Sequence, residues 1–72
     1  RYRLERQECR AALADFEEAA RLGPSLPLAH ASVGLARLCL GDPERAASAF
    51  RRSLEIDPDQ PEIRQALESL SR

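Results

Sequence analysis

The sequence predicts an all-α chain built from antiparallel helical hairpins. Proline and glycine punctuation divides its 72 residues into four segments, apolar residues recur within them at three- and four-residue spacing, and several side chains return after 34 positions. Composition agrees. The 43% of hydrophobic residues are mostly Ala and Leu, with Tyr2, Phe16 and Phe50 as the aromatics, a mixture that suits closely packed helices better than strands.

The elements follow in order. Over residues 8–22, Ala12, Phe16, Ala19 and Leu22 fall on one helical face, and Gly23-Pro24 ends the helix. Over 27–40, Leu28, Ala31, Val33, Leu35, Ala36, Leu38, Cys39 and Leu40 leave little polar surface. Such a helix is either buried on several sides or holds one face for a partner. The third helix, 43–57, has Asp42 as its N-cap and Pro43 in its first turn, and carries Ala46, Phe50, Ser53 and Ile56 on one face. Asp57-Pro58 stops it, and 61–70 forms the fourth. Connections this short make consecutive helices antiparallel.

Ala12 and Ala46, Phe16 and Phe50, Leu22 and Ile56, and Pro24 and Pro58 all stand 34 apart, and the same shift carries Pro27 onto Pro61 and Val33 onto Leu67. A fixed period of this length signals stacked supersecondary units, none of which buries its apolar face alone.

Residues 27–60 resemble one complete tetratricopeptide repeat, with Val33-Gly34 at its Leu-Gly step, Ala46 and Phe50 at its Ala/Phe pair, and Pro58 closing it. Residues 1–26 resemble a repeat without its first eight or so positions, with Ala12, Phe16, Ala19 and Pro24 in place. Residues 61–72 are similar to the first helix of a further repeat or a capping helix, and Glu68 at the glycine position favours the cap. His30 and Arg37 stand where the family has Trp and Tyr. The resemblance implies a right-handed solenoid in which Gly34 and Ala46 let helices approach, Phe50 fills the space between hairpins, and first helices line a concave groove.

On that implication the groove residues are Leu28, Ala31, Leu35, Leu38 and Cys39, with Leu4 from the partial unit before them. They form an apolar stripe, which either packs on neighbouring helices of a longer protein or meets a partner. A subset of the family clamps acidic C-terminal tails with Lys, Asn and Arg. The corresponding positions here hold Arg1, Ala31, Leu35, Gln65 and Ser69, so most of those donors are missing.

Eleven Arg and no Lys face twelve acidic residues, a net charge of -1 with the signs interspersed, which offers no basic footprint for nucleic acid. No apolar run approaches a membrane span. The start at Arg1 reads as a piece of something longer. Two cysteines, Cys9 and Cys39, lack the density of a disulfide scaffold and read as inert thiols in a reducing compartment, hence the cytoplasm. His30, the one histidine, can build no metal cluster and reads as a packed side chain with one hydrogen bond. Glu17-Glu18 and Arg51-Arg52 read as solvated surface, with Glu55 placed to pair with Arg51. No cofactor and no catalysis are expected.

Three functions stay open. The first is a module binding a protein or peptide partner through the apolar groove. The second is a structural piece of a longer solenoid, or a homo-oligomer formed through exposed ends. The third is a docking region of a larger enzyme.

Overall fold

A computed structural model describes residues 6–70, which form α1 (Arg6–Leu22), α2 (Pro27–Cys39), α3 (Pro43–Ile56) and α4 (Pro61–Leu70), with no strand among the described residues. α1 starts two residues earlier than expected, and α2 and α3 each end one residue sooner. Prolines open α2, α3 and α4, where the missing N–H has no intrahelical partner to lose. Asp42 caps α3 through a bond from the Arg45 N–H to its side chain, 3.3 Å.

The α2–α3 turn depends on Gly41. Its φ of 77° is left-handed, its N–H donates to the Leu38 carbonyl (3.0 Å), and the Asp42 N–H reaches back to the Arg37 carbonyl (2.9 Å). These two bonds satisfy the last carbonyls of α2 while reversing the chain.

α2 packs against both α1 and α3, and α3 against α4. All three pairs are antiparallel. Cys9 near the start of α1 meets Cys39 at the end of α2; Ser53 near the end of α3 bonds Pro27 at the start of α2; and Leu70 at the end of α4 shares a surface depression with Pro43 and Glu44. The core consists of Cys9, Leu13, Ala29, Ala31, Ala36, Ala46, Ala47 and Phe50, with Gly34 and Ser53 also buried. Side chains this small let helix axes approach closely, so one large ring, Phe50, fills much of the remaining space.

Two expectations are corrected here. Cys9 and Cys39 are joined by a disulfide, with Cα atoms 6.2 Å apart, so neither is an inert free thiol. The antiparallel hairpin causes the meeting, because each cysteine lies twelve or thirteen residues from the α1–α2 turn. A bond of this kind persists in oxidising compartments, which removes the ground for the reducing-compartment reading. Leu22, expected on the packed face of α1, is 71% exposed. Among the described helices α1 packs mainly against α2. No helix among the described residues is long and apolar enough to cross a membrane.

Candidate interaction surface

Seven residues bring an α-helix through nearly two full turns, so Leu28 and Leu35 share one face of α2. Both point outward, 75% and 55% exposed. Leu38 is half-buried beside them. Ala31 does not belong with this pair. It is 3% exposed, a small side chain enclosed in the core. Cys39 is also withdrawn from the stripe, since its sulfur is bonded to Cys9. Leu4 lies outside the described residues.

A shallow depression of about 340 Å³ opens at the α1–α2 seam, lined by Phe16, Ala19, Leu26, Leu28, Ala29 and Ser32. Leu26 (54% exposed) and Leu28 form one wall, and the half-buried ring of Phe16 lies within it. Sequence reading assigned Phe16 and Ala19 to internal packing and passed over Leu26. Ala19 is exposed. The acidic residues that follow Phe16 are already neutralised: Arg37 donates to Glu17 (2.8 Å) and Arg21 pairs with Glu18. Arg37 therefore ties α2 to α1 electrostatically at a position where the resemblance expects aromatic packing.

The 34-residue shift places this depression over a second site in the same chain. Phe16 becomes Phe50, Ala19 becomes Ser53 and Leu26 becomes Gln60. The second site is closed by α2. Gly34 lies so near the Phe50 ring that a Cβ added there would come 2.5 Å from its Cε1, and Phe50 is 0% exposed. Ser53 Oγ donates to the Pro27 carbonyl (2.8 Å), and the Gln60 amide donates to the Ser53 and Asp57 carbonyls (3.0 and 2.8 Å). These polar contacts lock the end of α3 to the start of α2 and leave no buried side-chain N or O without a partner among the described residues.

One contact repeats with the sequence. His30 Nε2 donates to the Pro24 carbonyl (2.9 Å), and 34 residues later Arg64 donates to the Pro58 carbonyl (2.6 Å). Each fixes the loop entering its helix. Pro24 and Pro58 are themselves exposed, so they act by ending helices and offering carbonyls. Val33 and Ala12 are half-buried, and Ala46 is fully buried against the α2–α3 contact. Glu55 pairs with Arg52 (3.5 Å) instead of Arg51. Among the described residues no three potential ligands gather for a metal.

The geometry above is that of helical hairpins closed by a small residue over a phenylalanine, and the family model of the tetratricopeptide repeat matches residues 27–69. The chain belongs to the tetratricopeptide repeat family. The match takes in α2, α3 and nearly all of α4, while α1 and the turn after it lie before it and carry Ala12, Phe16 and Pro24 in register. No curated protein and no solved structure matches the chain significantly. Tetratricopeptide repeats are helical scaffolds for protein-protein interaction, so the site to look for is a surface that binds rather than a cluster that reacts.

Proposed function

We propose that this tetratricopeptide repeat chain is a protein-interaction module that holds an apolar peptide or helix of a partner protein on the face formed by Phe16, Leu26, Leu28 and Leu35. One observation carries the reading. Large apolar side chains that the fold could have buried stand together in solvent around an almost wholly apolar depression. Exposed apolar surface of this kind marks contact sites. The self-paired charges beside it give the contact no electrostatic direction, so affinity should depend little on salt.

Affinity capture with the wild-type chain, with Leu28→Glu, with Leu35→Glu and with Arg51→Glu tests this. A carboxylate at the apolar contact is left without a partner, and loss of about 1.4 kcal/mol or more lowers affinity at least tenfold. The expected result is a partner lost with either leucine variant and kept with Arg51→Glu. A partner retained by both leucine variants and lost with Arg51→Glu or moderate salt puts the binding surface on the charged helices instead.

A further inference from the structure

We infer that the Cys9–Cys39 disulfide is a thiol-exchangeable clamp between α1 and α2, in which a low-molecular-weight thiol of the glutathione class attaches at Cys39. Cys9 is the sheltered sulfur that it displaces and that later closes the bond again. The clamp goes beyond the reading above and does not depend on which partner the apolar face takes.

Its place in the fold comes first. The turn at 23–26 joins α1 to α2 at one end of the pair, and the disulfide joins them at the other, between Cys9 near the start of α1 and Cys39, the last residue of α2. The α2–α3 pair is closed in the same way, by the Gly41 turn at one end and by the bond from Ser53 Oγ to the Pro27 carbonyl at the other. One pair is fastened by a hydrogen bond, the other by a bond that a thiol can open. Little else holds the seam: Leu13 is the other fully buried side chain that α1 supplies among the described residues, and the Arg37–Glu17 ion pair is partly exposed. Such pairs contribute little. Phe50, Gly34 and Ser53 belong to the other interface of α2, so the core they form does not rest on the disulfide.

The two sulfurs are unequal. Cys9 is 1% exposed, whereas Cys39 is half-buried and stands two residues before the exposed Gly41. An attacking thiolate therefore reaches Cys39. Electrostatics gives the same direction, since the carbonyl end of α2 disfavours negative charge on Cys39 and leaves Cys9 as the better leaving group. The thiolate forms a new S–S bond at Cys39 Sγ while the Cys9–Cys39 bond breaks, and Cys9 departs with the electron pair and takes up a proton. A second thiol then attacks the small-thiol sulfur of the mixed disulfide, frees Cys39 as a thiol and leaves as the small disulfide, so two thiols are oxidised as the protein's bond is reduced. Cys9 suits the core as a free thiol, because an unpaired cysteine packs as a small apolar side chain. Closure reverses the first step: Cys9 loses its proton, attacks Cys39 Sγ and expels the small thiolate.

The test equilibrates the 72-residue chain in graded mixtures of reduced and oxidised glutathione, reads each cysteine by peptide mapping after an acid quench, and follows each helix by amide hydrogen exchange. The expected result is a glutathione adduct on Cys39 and none on Cys9. Exchange in α1 should quicken by about tenfold or more in the reduced chain while α3 is unchanged, and protection should return when oxidised glutathione is restored. Cys9→Ala should accumulate the adduct on Cys39, and Cys39→Ala should take one up more slowly by about tenfold or more. An adduct on Cys9, equal uptake by the two variants, or two free thiols in the most oxidising mixture overturns the inference. So does a bond that yields only as the helical signal of the whole chain is lost, or equal loss of protection in α1 and α3. The mapping of the unmutated chain decides the matter even where a variant fails to fold.

Discussion

Phe50 and Phe16 occupy the same position 34 residues apart, yet one is fully buried under α2 and the other lies half-open at the seam of α1 and α2. Around Phe50 the neighbours are polar where the packing closes: Ser53 Oγ donates to the Pro27 carbonyl at the start of α2, and the Gln60 amide donates to the Ser53 carbonyl of α3 itself. Around Phe16 the same positions are Ala19 and Leu26, apolar and exposed. A polar pair is useful only where a fixed backbone is present to satisfy it, whereas alanine and leucine suit a surface that is sometimes wet and sometimes covered. The same framework position thus carries a buried polar pair beside Phe50 and an exposed apolar pair beside Phe16.

The largest test of that contrast removes each ring in turn. Phe50→Ala should cost about 3–5 kcal/mol, since a large buried ring leaves a cavity, and that approaches the whole stability of a small domain. Phe16→Ala should cost less, about 2 kcal/mol, because its ring is only partly withdrawn from water. Thermal melts of the two variants check this, and equal shifts would remove the distinction between the sites.

Opening the disulfide comes next. Cys9→Ser with Cys39→Ser frees a 30-residue separation and should lower stability by about 2–4 kcal/mol, read from denaturant midpoints. Because the bond holds α1 to α2, its loss should loosen the seam at Phe16 before the Phe50 site, visible as faster amide exchange in α1 than in α3. Gly34→Ala is a finer probe of the covered site. Its new methyl group collides with the Phe50 ring and should cost about 1–3 kcal/mol by overpacking. The smallest effect is a reciprocal pair: Ser53→Ala should cost about 1 kcal/mol because the Pro27 carbonyl and the Gln60 amide each lose a partner, whereas Ala19→Ser should change stability by less than half of that at an exposed position.

Much of the fold was legible because local signals agree. The prolines at 27, 43 and 61, the Asp42 cap and the three- and four-residue apolar spacing set the four helices to within two residues. Gly34, Ala46 and Phe50 could be read as a packing set because the 34-residue shift repeats their surroundings. The disulfide was missed by counting cysteines rather than folding the hairpin: the nearly equal distances of Cys9 and Cys39 from the turn carry that signal. Ala31 was assigned to the groove by the resemblance, which does not tell which side chains of an apolar helix this chain encloses in its core. Leu26 was passed over as a turn residue, and the Ser53–Gln60 network was hidden because its acceptor, the Pro27 carbonyl, is a backbone group no side-chain pattern reports.

The central claim is that one repeat position is closed in α3 and open in α1. Its most direct measurement is the broadening of the Phe16 and Phe50 ring signals by a soluble paramagnetic agent, recorded on the dilute 72-residue chain with both aromatic rings carbon-labelled. The account predicts strong broadening at Phe16 and none at Phe50 beyond the diamagnetic control. Equal protection of both rings, at concentrations where the chain is monomeric, would contradict it.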